Sequence, residues 1–76
     1  MDLKEEIRAT IADMLEMEAE ELDCGALFSE YGMDSFIAMQ LIAMLESEYD
    51  ITVPDEFIKS FKTVNDTVRI VEELRK

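Results

Sequence analysis

From Ser35 to Glu48 this 76-residue chain offers few polar positions before Glu46, and no other stretch limits its fold as strongly. Phe36, Ile37, Met39, Leu41, Ile42, Met44 and Leu45 make it the most apolar helical stretch of the sequence. A helix of this composition has to bury a stripe against neighbouring elements. Ala38, Leu41, Ile42, Leu45 and Tyr49 supply the inward stripe, leaving Phe36, Ile37, Gln40, Ala43 and Ser47 outward. The outward patch near Ser35 is therefore apolar or neutral, which is the character of a partner surface.

The flanking segments repeat the helical period. Leu3, Ile7, Ile11, Met14 and Leu15 share one face between Asp2 and about Met17, with Lys4, Glu5, Arg8 and Asp13 on the outer side. Asp2 followed by Glu5 has the pattern of a capping box. From Glu18 to Met33 the period breaks through Asp23, Gly25 and Gly32. Leu22, Leu27, Phe28 and Tyr31 punctuate this loop and are expected to pin it to the core. At about 15 residues it is long for a compact domain, and such loops are usually functional.

Asp50-Ile51-Thr52-Val53-Pro54 is predicted to be extended, because proline disfavours helix in the residue before it. Pro54 then begins a short helix through about Ser60, bearing Phe57 and Ile58, with Phe61 as a further apolar contact. Thr63 is an N-cap with Asp66 three residues on. Val64, Val68, Val71 and Leu74 form one face of the last helix, which Arg75 and Lys76 end favourably. Six methionines, among them Met14, Met39 and Met44, read as adaptable filling of a small interior. The expected fold is all-α, a four-helix bundle with a long first loop and a short third helix, residues 1–76 forming a single domain.

Nineteen acidic residues against seven basic ones give a net charge of −12. Such a field repels phosphate backbones and anionic lipid, so neither nucleic acid nor a membrane surface is an expected partner. It suits partners that present Lys and Arg. No apolar run approaches a membrane span, and Met1-Asp2-Leu3-Lys4-Glu5-Glu6 lacks the apolar core of a signal peptide, so the expected location is cytoplasmic. With no histidine, neither Ser-His nor Cys-His activation nor a His-ligated metal is available. An autonomous enzyme is therefore not expected, and no resident metal either. Cys24, the single cysteine, has no partner for an internal disulfide and reads as a small loop residue.

One tetrapeptide carries chemistry. In Gly32-Met33-Asp34-Ser35, glycine permits a sharp turn, Asp34 can cap the following helix, and Ser35 lies in its first turn. Free N–H groups and the positive end of the helix dipole would favour a phosphate ester on Ser35. In this setting the segment resembles the attachment site of acyl and peptidyl carrier proteins, and the resemblance extends over almost the whole chain. The family pattern is an Asp-Ser start, a helix ending in acidic residues and an aromatic, and an extended Ile-x-Val/Ile-Pro segment. Here those are Asp34-Ser35, Leu45-Glu46-Ser47-Glu48-Tyr49 and Ile51-Thr52-Val53-Pro54, followed by Thr63-Val64 and a closing apolar helix.

The resemblance implies a covalent phosphopantetheine on Ser35, transferred from coenzyme A by a separate phosphopantetheinyl transferase with Mg²⁺. Asp34 would orient the site and assist Mg²⁺ during modification. Cargo would ride as a thioester between a loading enzyme, for acyl or aminoacyl groups, and a downstream synthase or transferase. Met33, Phe36, Ile37 and Gln40 are the expected partner-binding residues of a monomeric carrier. Carriers of bacterial fatty-acid synthesis usually display acids along the second helix. Here Ile37 and Gln40 stand there, and the charge lies in Glu16, Glu18, Glu20, Glu21, Glu30 and the later helices. That departure points to specialised polyketide, nonribosomal-peptide or related acyl transfer, with D-alanyl carriers, which share Asp-Ser-Phe, a further candidate. The chain begins with its own methionine and shows no flanking linker, so a free-standing carrier is expected. The alternative is an acidic helical interaction module without covalent cargo, which leaves Asp34-Ser35 unexplained. A hydrolase using Ser35 would lack a base.

Overall fold

The computed structural model describes residues 2–75. Four α-helices follow one another as α1 (Leu3–Met14), α2 (Ser35–Tyr49), α3 (Asp55–Ile58) and α4 (Val64–Leu74), with single 3₁₀ turns at Ala19–Glu21 and Phe28–Tyr31 inside the long first loop. α1 packs chiefly on α4, and also meets α2 and the first 3₁₀ turn. The short axis of the molecule is 19 Å, about two helix diameters, so the bundle is two layers thick. Ile7 and Ile11 of α1, Leu41 and Leu45 of α2, and Val64 and Val71 of α4 lie in its centre, each almost wholly buried.

The helix starts follow local chemistry. Asp34 accepts from Ile37 N at 2.9 Å and Thr63 Oγ1 from Asp66 N at 3.0 Å, each satisfying a donor that has no partner inside the helix. Asp2 caps α1 through Lys4 N at 3.1 Å, one residue short of the position a capping box uses. Pro54 stands just before α3 at its N-cap. That helix occupies four residues, so the stretch expected to run to Ser60 unwinds into turns after Ile58.

Helix ends hold most of the departures from expectation. α1 stops at Met14, because Glu16 turns left-handed at φ 57° while Glu16 N reaches Asp13 O and Met17 N reaches Ala12 O. That pair of bonds is a Schellman stop. α2 ends on Asp50, also left-handed at φ 53°, with Ile51 N on Glu46 O. Asp50 is thus not extended; the extended run begins at Ile51, where Glu46 Oε2 accepts from Val53 N at 2.9 Å and fixes it. On α4, Thr67 and Ile70 join the buried face, while Val68 and Leu74 pack only partly against it. Thr67 tolerates complete burial because its hydroxyl donates to Thr63 O. Lys76, expected to close the helix with Arg75, lies outside the described residues.

The long loop is held by more than its apolar residues. Leu22 and Phe28 are buried and Tyr31 is half-buried, but Leu27 is 47% exposed and does not pin. Arg8, placed on the outer side of α1 by its spacing, bends instead onto the loop, donating from Nε to Leu22 O at 3.0 Å. Phe28 N donates to Lys62 O at 2.7 Å and Asn65 N to Cys24 O at 3.1 Å, joining the loop to the α3–α4 connection. Met39 and Met44, expected inside, are exposed, since they fall outside the Leu41, Ile42, Leu45 stripe of α2; Met14 does pack against the core.

Candidate functional site

Ser35 is positioned by the turn that delivers it. Gly32 closes the second 3₁₀ turn at φ 84°, a conformation that costs an L side chain energy but not glycine. A side chain there would meet nothing within 4 Å, so the demand at this position is conformational and not one of space. Met33 N then bonds back to Phe28 O at 3.3 Å. Asp34 adopts extended backbone (φ −113°, ψ −179°), which points its carboxylate at Ile37 N and its carbonyl at Ala38 N. Ser35 follows as the first residue of α2 and is exposed. An anion on its hydroxyl would face the N–H end of a fifteen-residue helix.

A groove of about 730 Å³ opens beside this serine. Leu27 and Phe28 of the long loop, Ala38 and Met39 of α2, Ile58 at the end of α3 and Phe61 beyond it supply its apolar walls. Asp34 and Ser35 lie at its α2 end, and Lys59 and Lys62 on the α3 side. The serine thus has open solvent in front and a mostly apolar trough alongside, room enough for a long flexible group esterified at its hydroxyl.

The residues expected to meet partners divide. Phe36 is 69% exposed and Gln40 is exposed, so both present themselves to solvent next to Ser35. Ile37 is half-buried, and Met33 packs against the core while lining the groove. Met39 was not expected here, yet it is 57% exposed and lines the groove. Its spacing of four from Ser35 was the available signal, because i and i+4 share a helix face. Leu27, Lys59 and Lys62 reach the groove only through tertiary packing, and no local pattern marks them.

Among the described residues the one clearly displaced ionisation lies elsewhere. Burial pushes the Tyr49 phenol above its usual value, the negative charges of Glu6 and Glu48 add to the shift, and Arg75 opposes it. Tyr49 ends the helix that Ser35 begins, roughly 21 Å along the axis at 1.5 Å per residue, too far to assist the serine. Among the described residues Asp34 is the only carboxylate lining the groove, and its Oδ1 atom is engaged by Ile37 N–H. The arrangement suits a hydroxyl that is modified and then carries what it receives.

Comparison with known proteins agrees with this geometry. The family model described as "Phosphopantetheine attachment site" matches residues 5–71. The chain is 32% identical over 73 residues to the acyl carrier proteins of Sinorhizobium fredii and Rhizobium meliloti, covering 95% of this chain and 94% of each relative. Among solved structures, the mupirocin didomain ACP superposes with a TM-score of 0.85 at 25% identity, over 99% of this chain and 41% of that one. The all-helical fold with its four helices and no strands among the described residues is the fold of that carrier. The chain belongs to the acyl carrier protein family, whose phosphopantetheine cofactor is covalently attached.

Proposed function

We propose that Ser35 is the attachment point and that the protein acts as a carrier substrate for other enzymes, itself catalysing nothing. The observation that supports this reading best is the exposed hydroxyl at the Asp34-capped start of α2, beside a groove that can take a flexible arm. A phosphopantetheinyl transferase would form the bond between Ser35 Oγ and the phosphorus of the pantetheine arm, releasing the nucleotide half of coenzyme A and the hydroxyl proton. Asp34 would hold the serine's backbone in place and stand near the Mg²⁺ that the transferase brings. The bound arm supplies a terminal thiol, on which acyl or aminoacyl cargo is held as a thioester.

Phe36 and Gln40, with Ile37 beside them, are the surface offered to the transferase, the loading enzyme and a downstream synthase or transferase. Specialised acyl transfer of the polyketide or nonribosomal-peptide kind is the favoured setting. It is supported by the absence of acids on α2 before Glu46 and by the likeness to the mupirocin carrier. Among the described residues no helix is long and apolar enough to cross a membrane, and the proposed location is the cytoplasm.

Intact-protein mass after incubation with coenzyme A, Mg²⁺ and a broad-specificity transferase tests the reading. Wild type should gain one phosphopantetheine and Ser35→Ala none, with unchanged circular dichroism, because Ser35 is exposed and Asp34 provides the cap. A folded wild type that gains no mass would return the protein to the class of non-covalent acidic interaction modules.

A further inference from the structure

The groove beside Ser35 carries charge of the opposite sign to the chain. With a net charge of −12 the protein has seven basic residues, and two of them, Lys59 and Lys62, line this one groove. Among the described residues the one ion pair joins Arg69 to Asp66, so neither ammonium group is paired with a carboxylate of those residues. Lys62 is anchored through its carbonyl, which accepts Phe28 N–H at 2.7 Å, and Lys59 caps the end of α3. The rest of the lining is mostly apolar, supplied chiefly by Phe28, Met39, Ile58 and Phe61, with one opposing carboxylate, Asp34, at the start of α2 whose Oδ1 is taken by Ile37 N–H. An apolar trough with two free ammonium groups on one side matches a ligand with an apolar body and an anionic end. Lysine stems lie readily along such walls while their heads stay in water.

We propose that Lys59 and Lys62 make the groove selective for arm-borne acyl groups that end in a carboxylate, over neutral acyl groups of the same length. The inference rests on attachment at Ser35. The phosphodiester of the arm is also an anion, but it is tethered to Ser35 at the start of α2, where helix N–H groups serve it. The far end of the cargo is free to travel along the groove to the lysines. Because both ammonium groups are exposed, the preference is modest, about two- to fivefold, as measured for exposed ion pairs.

The test loads the protein from hexanoyl- and adipyl-coenzyme A, confirms each product by mass, and follows cleavage of the thioester by hydroxylamine. Each rate is divided by that of the same acyl group on free pantetheine, which removes the intrinsic effect of the carboxylate. The adipyl carrier should be protected about two- to fivefold more than the hexanoyl carrier at low salt. The difference should vanish in 0.5 M NaCl and in the double variant Lys59→Met, Lys62→Met. Equal protection, or a difference that survives in the double variant, overturns the proposal. So do Lys59 and Lys62 NMR signals that shift fully on addition of the bare arm, since the lysines then serve the phosphodiester. A protein that never gains mass overturns the attachment reading and this inference with it, whereas one that loads but does not discriminate overturns this inference alone.

Discussion

Individual residues were most legible where their effect is local. Asp34 and Thr63 cap their helices through bonds reaching three residues ahead, and Gly32 takes the positive φ its position demands. Tyr49 shows what such reasoning misses. Its place on the inward face of α2 was readable, but its hydroxyl is buried beside the Glu6 carboxylate without a hydrogen bond of good geometry, while Arg75 lies 5.4 Å over its ring. A buried donor without a partner costs about 1–3 kcal/mol, so Tyr49→Phe should raise stability by about 1 kcal/mol in urea unfolding while keeping the cation–π contact. The raised phenol has a second consequence. The folded state holds this proton above the pH at which the unfolded chain releases it, so the group leaves stability independent of pH near neutrality and lowers it as pH climbs past about 10, where the unfolded chain ionises first. The Phe variant should lack that part of the alkaline fall in melting temperature; an identical fall in both proteins would contradict the assignment.

At the scale of elements, helix starts were better read than helix stops. A start is announced by a side chain that bonds its own backbone, whereas a stop depends on one residue turning left-handed. Gly32 advertises such a turn, but Glu16 makes the same turn with a side chain that does not favour it and Asp50 with one that tolerates it better, though less well than glycine. Both are also acids at the negative end of a helix dipole. Strain and charge act in the same direction, so Glu16→Gly and Asp50→Gly should each raise stability by about 1 kcal/mol, read as a shift in urea midpoint. A loss of stability in either would show that the carboxylate does something in the fold beyond stopping the helix. The period of α2 placed Leu41, Ile42 and Leu45 correctly inside. It could not place Ile37 or Met39, which sit at the margin of the stripe, where the neighbouring loop and the α3 segment decide exposure.

For the molecule as a whole, charge is the dominant long-range term. Its radius of gyration is 11.3 Å, well under the Debye length of about 30 Å at 0.01 M salt and well over the roughly 3 Å at 1 M. At low salt most of the nineteen acids therefore repel one another, and the one ion pair among the described residues, Arg69–Asp66 near the surface, offsets little. Melting temperature should rise steadily with NaCl; a fall would mean that attractive pairs outweigh the repulsion. The sequence alone determined the class of fold, the helix faces, the capped serine and, through its family pattern, the kind of cofactor. These rest on periodicity and on bonds spanning three or four residues, which a chain carries locally. Tertiary structure alone decided what surrounds Ser35. Arg8 closes the loop from α1, Lys62 receives Phe28 from across the bundle, and Lys59 and Lys62 arrive at a groove begun more than twenty residues earlier. Contacts of that separation form only when the whole core has packed, so no local pattern could announce them.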